Sequence, residues 1–193
     1  MGFALDASGS IGETTFQLVR AFVTDTLEHF KLSADETNAG VIVYSTGPRL
    51  VIKLNEYYNL GKFSRALAQR TPWPKPFNIS WMNGYTRIDR ALEMAKQELF
   101  NERNGDRRNV PNALIFLTDG EQKPKAPLGA LEHYSKPLIK DNTRIFAVGF
   151  GKAVVSELRN ISSSPQNVFS YQGGAEVLKN AVGEIVTQLC NCK

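Results

Sequence analysis

The run Ala113-Leu-Ile-Phe-Leu117 constrains this chain most: five consecutive apolar residues lead straight into Thr118-Asp119-Gly120. A strand that is apolar at every position is buried on both faces, as happens when helices cover both sides of a parallel sheet. Other apolar runs of strand length lie at Gly2–Leu5, Gly40–Tyr44, Leu50–Leu54 and Arg144–Val148, with a weaker one at Asn167–Tyr171. Between them, apolar residues step by three and four. One set is Phe16, Val19, Val23, Leu27 and Phe30; a second is Ile88, Leu92, Ala95 and Leu99; a third is Leu178, Ala181, Ile185 and Leu189. That spacing puts each set on one helix face, packed towards a sheet. Shorter helices are expected at Leu60–Ala68, Leu128–Ile139 and Val154–Asn160. The alternation predicts an α/β, doubly wound fold with a mostly parallel six-stranded sheet and helices on both faces. Val41–Tyr44 and Leu50–Leu54, joined by Ser45-Thr-Gly-Pro-Arg49, read as a hairpin that adds one antiparallel edge strand.

With 193 residues, 42% of them hydrophobic and 22% charged, the chain has ordinary globular composition and suffices for one domain. Residues 1–189 are expected to form it, with 190–193 as a tail carrying Cys190 and Cys192. The chain opens inside the apolar run Met1-Gly-Phe-Ala-Leu5, with no leader ahead of it, and reads as an excised domain. The net charge of +4 is spread out, apart from short knots at Arg107-Arg108 and Lys123-Pro-Lys125. Nucleic acid is not an expected partner, because no basic stripe is interleaved with aromatics. Membrane insertion is not expected either, because no segment approaches the ~18 apolar residues needed to span a bilayer.

Ligands of open α/β sheets sit outside the carboxyl ends of the strands. Three segments deliver oxygen-bearing side chains there. The first strand runs into Asp6-Ala-Ser8-Gly-Ser10, the fourth into Thr118-Asp119-Gly120-Glu121, and Gly84-Tyr-Thr86 precedes the helix that carries Ile88. Asp6, Ser8 and Ser10 alternate, so their oxygens can converge on one side. Carboxylates and hydroxyls are hard ligands that suit Mg²⁺, Ca²⁺ or Mn²⁺. With only Asp6 and Asp119 supplying charge, such an ion stays electrophilic and has reason to take a further anionic oxygen from outside. Each residue also has a plainer role open to it. Ser10 with Glu13, and Thr86 with Asp89, fit helix caps, and Thr118-Asp119-Gly120 fits a turn.

Taken together, Asp6-x-Ser8-x-Ser10, a Thr after a Gly turn, and Thr-Asp-Gly after an apolar strand resemble the metal-ion-dependent adhesion site of von Willebrand factor A and integrin inserted domains. The resemblance covers essentially the whole chain in order and spacing. Val148-Gly-Phe-Gly151 is similar to another signature of that family. It implies a Rossmann-like fold and one divalent cation, Mg²⁺ first, with Ser8, Ser10 and Thr86 as direct ligands and Asp6 and Asp119 acting directly or through water. It further implies an adhesion module of an extracellular matrix or cell-surface protein. The partner would present a Glu or Asp to the ion, and collagen is one such partner. In integrin inserted domains the last helix slides on ligand binding; its counterpart here is 177–189.

Catalysis is not expected. No Gly-x-Ser-x-Gly, Gly-x-x-x-x-Gly-Lys-Ser/Thr or leading Gly-x-Gly-x-x-Gly occurs, and neither His29 nor His133 is placed to serve a serine. The segment from Thr71 to Asn83 holds three prolines, and its alternating prolines forbid helix. It is either a specificity loop, with Trp73, Trp81, Tyr85 and Glu121 as partner contacts, or a loop packed on its own body. In the first case the chain could serve as a structural matrix module through this surface and the basic knot 103–108, without using an ion. Asn78 and Asn160 head Asn-x-Ser sequons that accept glycans in a secreted protein. Cys190 and Cys192 are too close in sequence for an unstrained mutual bond. Pairing outside this segment and a free thiol pair both stay open. Sequons and cysteines together point to an extracellular protein.

Overall fold

The computed structural model describes residues 1–68, 82–125, 127 and 130–190. Strands β1 (Gly2–Asp6), β2 (Gly40–Tyr44), β3 (Pro48–Ile52), β4 (Asn112–Thr118), β5 (Thr143–Gly149) and β6 (Val168–Ser170) form one sheet in the order β3-β2-β1-β4-β5-β6. All neighbours run parallel except β2 and β3. The helices are α1 (Gly12–Leu27), α2 (Leu60–Ala68), α3 (Ile88–Met94), α4 (Glu132–Lys140), α5 (Val155–Ile161) and α6 (Leu178–Cys190). Helix α3 runs on into a wider turn, Ala95–Leu99, closed by Phe100 N–H donating to the Ala95 carbonyl at 2.9 Å.

Side-chain alternation along the strands divides the core in two. Phe3 and Leu5 of β1, Ile115 and Leu117 of β4, and Phe146 and Val148 of β5 pack with α1, α2 and α6. Their neighbours Ala4, Leu114, Phe116, Ile145 and Ala147 pack with α3, α4 and α5. Ala113-Leu-Ile-Phe-Leu117 thus feeds both cores, which is why every position in it is apolar. Each of its fully buried side chains contributes about 1.5–3 kcal/mol relative to exposure.

The sequence misplaces three boundaries. Strand β3 spans Pro48–Ile52 and not Leu50–Leu54, and Tyr44 pairs with Pro48. Leu54 imitates a strand residue because it is buried, 2% exposed, against the α3 side of the sheet from a position past the strand end. Pro48 is tolerated at the start of an edge strand, where a missing N–H disturbs little of the ladder. Helix α1 stops at Leu27, so Phe30 lies in the turn beyond it. Helix α4 begins only at Glu132, after a turn in which Ala130 N–H donates to Pro127. For the site, the decisive register is Leu5 beside Leu117: it sets the exits of β1 and β4 next to each other at the centre of the sheet.

Candidate metal centre

Asp6 closes β1 and is fully buried. Its Oδ1 accepts from the Ser8 backbone N–H at 2.9 Å, and its Oδ2 accepts from Thr118 Oγ1, at the end of β4, at 2.7 Å. Past the strand, Ser8 Oγ and Ser10 Oγ stand 3.1 Å apart. Ser10 Oγ donates across the gap to Asp119 Oδ1 at 2.7 Å. Four of the five residues expected from the sequence are therefore joined by one continuous run of hydrogen bonds.

Thr86 reaches the same place from a separate loop. Met82 N–H donates to Ala7 at 3.1 Å, Gly9 N–H donates to Gly84 at 3.0 Å, and Arg87 N–H donates to Ser45 at 3.1 Å. These bonds pin residues 82–87 against both the β1–α1 loop and the β2–β3 hairpin. Gly84 has φ +94°, and a Cβ there would lie 2.4 Å from Thr46 Oγ1, so only glycine fits this close approach. Thr86 is 5% exposed. Its Oγ1 and Ser10 Oγ lie 3.5 and 3.6 Å from the point where a Cβ on Gly120 would stand. The two hydroxyls thus face the same space beside Gly120.

The two hydroxyls are not used as helix caps. Helix α1 follows Ile11 and α3 follows Arg87, neither with a side-chain cap bond. Ser10 instead donates to a carboxylate, the stronger, charge-assisted choice.

Burial pushes the Asp6 carboxyl up to about 6. The hydrogen bonds from Ser8 and Thr118 oppose the rise, and the nearby Asp119 charge adds to it. Asp119 is likewise raised by burial, against its bond from Ser10 and the Lys152 charge. Asp6 is surrounded by hydroxyls, one N–H and a second carboxylate. Among the described residues, no lysine or arginine pairs with it. A buried carboxylate lacking a counter-charge is costly, and two carboxylates facing three hydroxyls match the donors of a hard divalent cation. Among the described residues, no cluster of three or more His, Cys, Asp or Glu offers a rival metal site.

Several positioning residues escape a reading of the sequence. Thr118 is visible in the sequence as part of the Thr118-Asp119-Gly120 motif, but its role as the clamp on Asp6 is not. Tyr44, fully buried, donates its hydroxyl to the Leu117 carbonyl at 3.0 Å beneath the site. Gln122, 2% exposed, joins α3 to α5: it donates to Asp89 at 3.0 Å through its side chain and to Glu157 at 2.9 Å through its N–H. Only the folded contacts, across more than thirty residues of sequence, reveal that role.

Of the expected partner contacts, Tyr85 stands out beside Thr86 with 64% exposure. Glu121 is held in ion pairs with Lys123 at 2.6 Å and Lys125 at 3.4 Å. Trp73, Trp81, Asn78 and Cys192 lie outside the described residues. Asn160 sits within α5, half-buried, its carbonyl accepting from Ser135 Oγ. Cys190 ends α6 and is exposed.

The von Willebrand factor type A domain model matches residues 1–183, and the chain belongs to that family. It is 28% identical over 190 residues to a collagen alpha-1(XII) chain of Notophthalmus viridescens, covering 97% of this chain and 19% of that one. It is 27% identical over 189 residues to Matrilin-1 of Gallus gallus, covering 97% and 36%. It thus spans well under half the length of these extracellular matrix relatives. Proximal thread matrix protein 1 from the mussel byssus shares the fold, with a TM-score of 0.84 at 21% identity over 98% of this chain and 46% of that one. Another structure of that mussel protein, with a zinc-occupied MIDAS (metal-ion-dependent adhesion site) motif, matches at TM-score 0.82 and 30% identity, over 98% of this chain and 45% of that one. Among the described residues, no helix is long and apolar enough to cross a membrane.

Proposed function

We propose that this domain is a divalent-cation-dependent protein-binding module of the extracellular matrix or a cell surface. Asp6, Ser8, Ser10, Thr86 and Asp119 hold the ion. The carrying observation is the convergence of these five residues around a buried Asp6 that has no cationic partner among the described residues. The zinc-occupied MIDAS motif of the mussel relative supports a cation of this type. Mg²⁺ is the ion these oxygens suit best, with Ca²⁺ and Mn²⁺ also within their range. When bound, the ion supplies a Lewis-acidic position for an outside carboxylate. Ser8, Ser10 and Thr86 present neutral oxygens to it, while Asp6 and Asp119 supply the balancing charge and Thr118 holds Asp6 in register. The partner is a matrix protein that presents a Glu or Asp, and collagen fits that description.

Thermal unfolding in Mg²⁺ and in chelator tests the reading. At a hundredfold excess over its Kd, the ion should stabilise the fold by about 2.7 kcal/mol. Asp119→Ala should abolish that difference together with cation-dependent capture of an acidic peptide. Identical unfolding of the wild type in both buffers would sink the proposal. The exposure of Tyr85 favours a second reading, in which Tyr85 and the Pro/Trp segment 71–83 named from the sequence contact a partner without the ion. Trp73→Ala and Trp81→Ala would weaken binding in chelator only if that surface works without the ion.

A further inference from the structure

Two Asn-Gly pairs occur in the chain, Asn83-Gly84 and Asn104-Gly105, and the fold treats them oppositely. Asn-Gly is the dipeptide most open to spontaneous deamidation, because glycine has no Cβ to shield its N–H from the preceding side chain. Asn104 is 6% exposed. Its Nδ2 donates to the Glu98 carbonyl at 2.8 Å, and Gly105 N–H is engaged with Glu102 at 3.1 Å. Asn83 and Gly84 are both exposed. Gly84 N–H points at the side chain of its own predecessor, 2.7 Å from Asn83 Oδ1. That contact holds the attacking nitrogen beside the carbonyl group it would attack.

We infer that Asn83 is a deamidation site that ages the rim of the metal centre. The step needs only base and solvent water. Gly84 N loses its proton and bonds to Asn83 Cγ; the Cγ–Nδ2 bond breaks, and Nδ2 leaves as ammonia. Water then opens the cyclic imide. Cleaving the new N–Cγ bond gives aspartate at position 83; cleaving the original peptide C–N bond gives isoaspartate, with the main chain routed through Cγ.

Both products fall beside the site. A Cβ on Gly9 would stand 2.7 Å from Asn83 Oδ1, so the side chain lies over the loop between Ser8 and Ser10. Aspartate adds a negative charge there. Isoaspartate lengthens the main chain by one carbon inside the segment whose bonds to Ala7, Gly9 and Ser45 seat Thr86. This consequence rests on the proposed cation site, whereas the deamidation itself does not. On that reading, Asn83→Asp should tighten cation binding, and isoaspartate should weaken it.

The test is peptide mapping of the folded chain aged in mildly alkaline buffer at physiological temperature, beside a sample unfolded in urea. In the folded sample, position 83 should convert at least about tenfold faster than position 104, whose reaction requires local opening of buried hydrogen bonds. In urea the two should react alike. Equal protection of both asparagines in the folded chain would overturn the inference. Cation titration of the aged fractions and of Asn83→Asp reads the consequence separately. Unchanged affinity in both would remove the link to the metal centre and leave the modification site standing.

Discussion

Thr118→Val isolates the clamp on Asp6. The substitution keeps the shape of a β-branched residue at the end of β4 and removes only the hydroxyl that donates to Asp6 Oδ2 at 2.7 Å. The same oxygen makes two longer contacts of 3.3 Å with Gly120, so the turn that carries Asp119 loses support as well. A hydrogen bond to a charged group is worth about 1.5–3 kcal/mol, and the stranded partner here is fully buried. For a domain of this size each kcal/mol shifts Tm by about 2–4 °C, so in chelator the variant should melt about 3–12 °C lower. Loss of a partner that orients a metal ligand typically weakens metal affinity by about 10–100-fold. Differential scanning calorimetry in chelator gives the first quantity, and Mg²⁺ titration monitored by Tm gives the second. If Thr118→Val matched the wild type in both, Asp6 would not depend on this hydroxyl, and the account of how the site is preorganised would be wrong.

Gly84→Ala must place a Cβ 2.4 Å from Thr46 Oγ1 at φ +94°; urea unfolding should show a loss of about 1–3 kcal/mol, with weaker cation binding as Thr86 shifts. Gly183, inside α6 with open space where a Cβ would stand, should behave in the opposite sense. Gly183→Ala should stabilise by about 0.5–1 kcal/mol in the same assay. Arg144 lies over the Phe146 ring and donates to Gln188 at 3.2 Å and Asn167 at 3.1 Å, tying the end of α6 to β5. Arg144→Met should lower stability by about 1–3 kcal/mol and speed amide exchange in the last turns of α6.

The legible parts of the site share one property: local pattern determines them. Asp6, Ser8 and Ser10 alternate, so their common side can be read without a partner strand. Ala113–Leu117 is apolar on both faces, so the covering helices can be read from one segment. Contacts between distant segments are not legible in this way. The Ser10–Glu13 spacing fits a cap, yet the Ser10 hydroxyl goes to Asp119, 109 residues away. Only the register that sets Leu5 beside Leu117 makes that acceptor available. Gln122 carries no local signal because its burial comes from α3 and α5 closing over it. The β3 shift has the same origin: Leu54 is buried in the core on the α3 side of the sheet and is not part of the ladder.

The same register explains why the site is rich in hydroxyls. Parallel pairing of β1 with β4 brings Asp6 and Asp119 to one spot, and their mutual repulsion already adds to the rise in the Asp6 carboxyl. A third carboxylate at Ser8 or Ser10 would add like charge within hydrogen-bonding distance of the others, in a place where Asp6 has no exposure at all. Serine supplies an oxygen without that repulsion, and it can donate as well as accept, as Ser10 does to Asp119. Two carboxylates balance a divalent charge and no more. A third anionic oxygen is then accommodated most easily from the solvent-facing side, where Ser10 is exposed and Asp119 only partly covered. The packing that buries Asp6 thus limits the number of charges the chain can place around the proposed cation, and it leaves the Ser10 and Asp119 side as the direction from which the proposed partner carboxylate would complete them.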